Sequence, residues 1–578
     1  MSLRKTATLL FLIQALWLGI FAQNTGNKTI TIRESRIKVK DLLQEITRQS
    51  GADFTFNPRV VELEKTISFT IEEGSLKETM ELFCEKLNLG FTQIGHQIIL
   101  KAAEKTQSSK SESFTLSGFL ADQTSGDNMI GSTVFIKGTQ VGAFTNEFGY
   151  YALSLPPGTY TVVYSHVGYD RITQEIILDK NIRHDMTLNP KAYELPPVVI
   201  GPSMDDILTK RQLGQMELTP VDLGRLPEFA GEPGIVNGLQ SLPGIKTHGD
   251  GSAYFYTRGG ERDQNIIYID DAPIFNPSHM FGFYSIFVPD FAKSVSVYKS
   301  DMPAMMGDRL SSIISIRTRD GNLNQSHLSG AVNPFVYRLS AEVPIQKKKS
   351  SAFISIRRSN FDWIYKRREP GMDIRFSDIH FKWHRIINDK NRLYFTTIGS
   401  RDLLQNVSGG ARTGITWTNF ASTFRWNHIY NPKLFSNTTI YTGTYGNRLF
   451  LTPNYWKSGI GLLGFKMDFT HFSSEKVQSK FGMEVLGYFN DPGTISLDTS
   501  IAILPSLKPN YARKTVLYYQ GEWAIRERLK LTAGSACDQL GEFGAGHLFS
   551  VRPAASGEGY CISWSRYLSF LRSRRPSP

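Results

Sequence analysis

From Ser329 to about Ala533 the chain alternates, and that alternation restricts its fold more than any other feature. Ala331, Asn333, Phe335, Tyr337, Leu339, Ala341 and Val343 fall on one face at a period of two, and so do Phe420, Ser422, Phe424, Trp426, His428 and Tyr430. Leu463, Phe465, Met467 and Phe469 make a third such face, opposite Lys466, Asp468 and Thr470. A period of two sends successive side chains to opposite faces of a strand. Asn388-Asp389-Lys390-Asn391 and Tyr430-Asn431-Pro432-Lys433 are turn sequences between the runs. Long strands of this kind build either a soluble β-sandwich or a membrane β-barrel. A hydrophobic content of 40% over 578 residues excludes a polytopic helical membrane protein. It does not exclude a barrel, whose strands average out as moderately polar. The 12% aromatic content suits aromatic girdles.

The other end of the chain bears on this choice. Arg4 and Lys5 precede an apolar run from Ala7 to Ile20, with a cleavage point at Ala22-Gln23. That pattern predicts a signal peptide over residues 1–22, too short to span a membrane as a helix. Cys84, Cys537 and Cys561 have no CxxC or metal-type spacing, so neither a disulfide framework nor a metal site is expected. The net charge of +12 is scattered, with no basic stripe interleaved with aromatics, and nucleic acid is not an expected partner. No paired carboxylates, nucleophile elbow or metal motif stands out, so no catalytic residues and no cofactor are assigned.

Residues 29–101 contain an internal repeat: Val39-Lys40-Asp41 through Gly51-Ala52-Asp53-Phe54-Thr55 matches Leu76-Lys77-Glu78 through Asn88-Leu89-Gly90-Phe91-Thr92. Each half reads strand, amphipathic helix, strand. Leu76, Met80, Phe83 and Leu87 share a helix face, and Ser75 with Glu78 forms a capping-box pattern. The segment resembles the short N-terminal domain shared by secretins and signal-transducing TonB-dependent receptors. After a Lys/Ser-rich linker, residues 114–188 read as all-β. Thr145-Asn146-Glu147-Phe148-Gly149-Tyr150-Tyr151, Leu155-Pro156-Pro157-Gly158-Thr159-Tyr160 and Val167-Gly168-Tyr169 resemble the carboxypeptidase-regulatory-like β-sandwich. His166 and His184 read there as ordinary strand residues.

Residues 217–322 hold an ordered set of motifs. They include Leu239-Gln240-Ser241-Leu242-Pro243-Gly244-Ile245, Tyr256-Thr257-Arg258-Gly259-Gly260 and Ile266-Ile267-Tyr268-Ile269-Asp270-Asp271-Ala272-Pro273-Ile274. Phe281-Gly282-Phe283-Tyr284-Ser285 and Gly307-Asp308-Arg309-Leu310-Ser311-Ser312 follow. The combination resembles the plug domain of TonB-dependent receptors. Asp271 and Asp308 stand where that family commonly has Gly, and Asp tolerates the left-handed conformation better than most residues. Arg258, Arg309 and Arg317 are the candidates for anchoring the plug to acidic residues of a barrel wall. Leu195, Pro196, Val198, Val199 and Ile200, in the linker 189–216, are the candidate TonB-binding segment. A short β-branched run between prolines suits capture by strand addition.

The expected architecture is therefore multidomain. A small α/β domain built on a βαβ repeat is followed by a β-sandwich, an α/β plug and an incomplete antiparallel outer-membrane β-barrel at 329–535. About ten strands are countable, against the 22 of plugged outer-membrane transporters. Residues 536–578 lack alternation and read like an out-of-frame tail, so a truncated or frameshifted product, or a gene-model error, is expected. The resemblance implies an outer-membrane receptor with its N-terminal domains in the periplasm, which takes up ligand with energy from TonB and its inner-membrane motor. It implies outer-membrane lipid, an extracellular ligand and an anti-sigma regulator as further partners. The alternative is a signalling or binding module without transport.

Overall fold

The computed structural model describes residues 29–542 apart from 58–60, 95, 103–112, 140, 192–214, 219–221, 223–227, 230–231, 240–241, 248–254, 300–301, 307–308, 475–476, 497–508 and 527–528. The chain divides into two compact units, residues 1–111 and 112–578.

In the first unit the repeat is interleaved. Ile30–Lys38 pairs antiparallel with Thr66–Gly74, and Asp53–Phe56 runs parallel to Gln97–Ala102, which also pairs with Leu89–Ile94. Neither half could cover its own apolar face, so the halves share sheets and one core. The helix Val39–Ser50 buries Val39, Leu42, Leu43 and Ile46, and stops at Gly51 in the left-handed conformation. The helix Leu76–Leu87 buries Met80, Phe83 and Cys84. Its start is a full capping box between Ser75 and Glu78. Burial pushes the Cys84 thiol up to about 11.

The second unit begins with a sandwich. One sheet centres on Phe114–Asp122, paired with Tyr150–Leu155, Ile182–Arg183 and Met186–Leu188. The other runs in the order Ile172–Leu178, Gly158–Ser165, Thr133–Ile136, Gly142–Phe144. Leu116, Leu120, Val134, Tyr151, Val162 and Tyr164 fill the space between them. His166 Nδ1 bonds Ser132 Oγ, and His184 Nε2 bonds Gln174 Oε1.

Next comes a five-stranded mixed sheet in the order Gln215–Leu218, Ala292–Tyr298, Ser312–Thr318, Asn265–Ile269, Ala272–Ile274. Every residue of Ser312–Thr318 is buried. Such a strand is covered on both faces, here by the rest of this central domain and by the wall described next. Asp270 and Asp271 make the turn between Asn265–Ile269 and Ala272–Ile274, with φ 45 and 77. A two-residue hairpin needs positive φ at both positions, which explains why an Asp can replace Gly here.

The wall is an antiparallel sheet of eleven described strands in sequence order, from His327–Val332 to Leu529–Glu542. It is patterned inside out. Val343, Phe424, Trp426 and Leu463 face outward and are exposed, while Glu342, Arg425 and Lys466 on the other face are buried against the central domain. A soluble sandwich buries its apolar face. An apolar exterior over a polar interior is the signature of a membrane barrel wall. No helix among the described residues is long and apolar enough to cross a membrane.

Two expectations need correction. The face from Ala331 to Val343 is not one strand. Asn333 Oδ1 accepts from the Phe335 and Val336 amides at 2.9 and 2.8 Å, turning the chain between His327–Val332 and Val336–Gln346. Leu328 and Val332 face outward before the turn, Tyr337 and Leu339 after it, so the parity shifts there. The last strand also runs to Glu542, seven residues beyond 535. The tail past 542 lies outside the described residues.

Candidate functional site

The central domain meets the wall through apolar packing, in which Phe291 lies 5.1 Å from Phe353 and Ile398, Ala421, Leu462 and Leu486 join its core, and through two charge clusters of opposite sign. The first is built on the Asp270–Asp271 turn, whose left-handed backbone turns both carboxylates toward the wall. Asp270 accepts from Lys382 Nζ at 3.2 Å and Thr396 Oγ1 at 2.7 Å, and it also holds the Thr318 hydroxyl. Asp271 accepts from Arg425 Nη2 at 2.7 Å and lies 3.0 Å from Arg317 Nη2. Lys382 also reaches Asp320 at 2.9 Å. Lys382 and Arg425 come from the inward faces of Met372–Asn388 and Ala411–Asn431. Burial alone would raise both turn carboxyls. The surrounding cations overcome it, holding Asp270 at about 2 and Asp271 well below the carboxylate range.

In the second cluster the signs are reversed. His279 of the central domain is clamped between two wall carboxylates, Nε2 to Asp378 Oδ1 and Nδ1 to Asp402 Oδ2, both at 2.6 Å. With an acceptor at each nitrogen, the ring must donate twice and is an imidazolium. Burial opposes that charge, but Asp378 and Asp402 outweigh it and raise the pKa to about 9. The ring also stacks on Phe376, centroids 4.3 Å apart. Asp378 binds Arg357 as well, at 2.7 Å, and Arg357 reaches across to Glu232 at 3.2 Å and to the Ser285 carbonyl at 2.5 Å. The side chains of His279, Asp378, Arg357 and Glu232 are all at most 2% exposed.

The residues expected from sequence are placed as follows. Arg317 is buried, and its acidic partners are Asp271 in its own domain and Glu147 of the sandwich, not carboxylates of the wall. Arg258 is exposed at a turn, with φ 50, and Arg309 is half-buried. Asp308 and the segment Leu195, Pro196, Val198, Val199 and Ile200 lie outside the described residues. Sequence reasoning looked for basic anchors on the central domain and missed its acidic ones. It also missed Arg357, Asp378, Lys382, Asp402 and Arg425. Their signal was available: charged side chains at inward positions of strands whose alternate positions are apolar. Among the described residues no group of three or more His, Cys, Asp or Glu is arranged to hold a metal.

What this arrangement does chemically is seat a domain against a wall by apolar packing and fix its register by buried ion pairs. Buried ion pairs add little net stability over apolar packing, yet removing one partner is costly, so they fix position more than they add strength.

Residues 116–200 match the family model described as the CarboxypepD_reg-like domain, and residues 230–312 match that of the TonB-dependent Receptor Plug Domain. TonB-dependent receptor P39 of Formosa agariphila is 29% identical over 162 residues, which are 25% of this chain and 15% of that protein. The chain thus aligns with well under two thirds of that curated relative. Among solved structures, the siderophore receptor PirA of Acinetobacter baumannii is similar at a TM-score of 0.47 and 12% identity, over 61% of this chain and 60% of that one. The ferripyoverdine receptor of the Pseudomonas aeruginosa outer membrane is similar at a TM-score of 0.43 and 11% identity, over 93% and 67%.

Proposed function

We propose that this chain, a relative of TonB-dependent receptors that carries their plug domain, is an outer-membrane receptor that binds a ligand outside the cell and passes it inward when TonB pulls on the plug. The observation that carries this reading is a plug held by buried charges against a wall whose outer face is apolar. Orientation follows from the connections. The sandwich docks at the end where Asn388–Asn391 and Asn431–Leu434 turn within two intervening residues, whereas the opposite end, besides the equally short turns at Ser408–Ala411 and Leu451–Asn454, carries the longer connection 360–371. Short turns belong to the periplasmic side of such barrels. Ligand would then arrive from the opposite end, where Phe281 is 62% exposed and packs edge-on against Trp417 at 5.1 Å.

In this reading Leu195, Pro196, Val198, Val199 and Ile200 add a strand to TonB, which is energised from the inner membrane. Residues 29–101 contact an anti-sigma regulator and report occupancy to transcription. Arg258 and Arg309 remain candidates for anchoring the plug to acidic residues of the barrel wall. Traction on the plug must break its ion pairs and also part it from the apolar wall residues Phe353, Ile398 and Leu462.

The test needs no knowledge of the ligand. The full chain in detergent micelles is presented to a purified TonB C-terminal domain. Binding is expected, and deletion of 195–200 should weaken it at least about tenfold, the loss of a few backbone hydrogen bonds. Undiminished binding by the deletion variant overturns the reading.

A further inference from the structure

The sandwich does not merely precede the plug. Its turn between Gly142–Phe144 of one sheet and Tyr150–Leu155 of the other reaches into the first charge cluster. The turn is stiff. Asn146 Oδ1 accepts from the Phe148 and Tyr150 amides at 2.9 and 3.0 Å. Gly149 has φ 77, and a Cβ there would lie 2.8 Å from Asn128. The chain therefore presents Glu147, Phe148 and Tyr150 in a fixed posture.

Each of the three lands on a different part of the lock. Glu147 pairs with Arg317 of the plug. The Phe148 ring lies near two guanidinium groups, Arg317 of the plug at 5.7 Å and Arg425 of the wall at 5.2 Å. It also stacks on Phe435 of the wall at 5.5 Å. The Tyr150 hydroxyl donates to the Pro432 carbonyl at 2.9 Å, in a turn at the rim of the wall. Glu147, Arg317, Asp271 and Arg425 so form a line of alternating charge that passes from sandwich to plug to wall.

A second loop of the sandwich repeats the pattern nearby. Asn128 accepts from Arg392 of the wall at 2.7 Å. Asp127 accepts from the Asp320 amide at 3.0 Å, and Lys293 of the plug lies 3.8 Å from its carboxylate.

We propose that the carboxypeptidase-regulatory-like sandwich is a bolt on the plug: its Asn146–Gly149 turn completes the coordination of Arg317 and holds the plug against the wall, so that the plug leaves only after, or together with, the undocking of the sandwich. Without Glu147, Arg317 keeps Asp271 alone, and Asp271 is already shared with Arg425. A buried guanidinium with half its counter-charge removed is the weakest point of the line. Phe148 adds the cation–π contacts that bridge plug and wall. The proposal rests on reading residues 215–318 as a plug, but its test involves no TonB.

The full chain is prepared in detergent micelles with Ser315, buried on a plug strand, replaced (Ser315→Cys), and with Cys84, Cys537 and Cys561 replaced by Ala. Maleimide labelling of position 315 is followed in urea below the unfolding midpoint of the wall. Glu147→Gln and Phe148→Ala should each speed labelling about tenfold, the value of one bond to a charged group. Glu147→Asp, which keeps the charge, should fall between Glu147→Gln and the parent. Glu175→Gln, at an exposed position elsewhere on the sandwich, should match the parent. Labelling that Glu147→Gln and Phe148→Ala leave unchanged overturns the proposal, as does an equal acceleration by Glu175→Gln. Neither result touches the TonB experiment.

Discussion

The N-terminal unit and the plug–wall contact put their charges in opposite places. In residues 29–102 the buried positions are almost wholly apolar, among them Ile30, Leu42, Ile46, Phe69, Met80 and Phe83. The ion pairs Arg33–Glu72 and Lys38–Glu64 lie outside, with every side chain more than half exposed. Between plug and wall, His279, Asp378, Arg357 and Lys382 are inside. Apolar burial is non-directional, and it is undone only by exposing area to water. Charge pairs are directional and fix register, and a hydrated lumen can take them apart one at a time. The first arrangement suits a body that must stay folded while it is used. The second suits a body that must leave its seat and return to it.

The largest effect that can break this contrast is at Asp378, which serves His279 and Arg357 together. Asp378→Ala leaves two buried cations sharing Asp402 and Glu232, and should cost about 3–5 kcal/mol of plug retention. Urea-dependent plug release in detergent micelles measures it. If the wall's own unfolding midpoint moves and plug release does not, Asp378 serves the wall alone, and the contact is not held by charge.

The next effect is on pH dependence. His279 has an ordinary pKa of 6.5 and sits at about 9 in place. Its contribution is therefore complete below pH 6.5 and is lost as pH rises through 9. Plug release should become easier across that window in the parent. In His279→Gln it should be easy throughout and flat. Asp127, raised to about 6 by burial, titrates below the window. The N-terminal unit should show no matching loss there, since its buried thiol, Cys84, titrates near 11. A parent profile that is flat from pH 6.5 to 9 would show that the imidazolium does not secure the plug.

Not all of this could be read from the sequence. Alternation delivered the wall because a strand has only two faces, and the turn pairs at Asn388–Asn391 and Asn431–Leu434 are dictated by local chemistry. The Ser75–Glu78 cap and the left-handed Asp271 were legible for the same reason: each depends on neighbours within a few residues. The parity shift at Asn333 was not, because alternation looks continuous across a turn that a single Asn side chain makes. The partners of Arg317 were further out of reach. Glu147 is 170 residues away and sits in a sequence that reads as an ordinary β-turn. Sign was the hardest property to anticipate. An arginine on the plug suggests an acidic wall, yet the wall offers cations to Asp270 and Asp271 and carboxylates to His279.

The smallest effect tests the other side of the comparison. Ser75 Oγ accepts from the Glu78 amide at 3.3 Å, and the Glu78 carboxylate accepts from the Ser75 amide at 2.9 Å. Ser75→Ala removes one half of that cap and should cost about 1 kcal/mol, confined to the Leu76–Leu87 helix. Amide hydrogen exchange along that helix, measured in the full chain, should quicken by about fivefold, the same quantity expressed as a rate. Labelling at position 315 should stay at its parent value, because no charge between plug and wall has changed. Were Ser75→Ala to loosen the plug as well, the two regions would share a stability, and the division between a body without buried ion pairs and a contact registered by them would not stand.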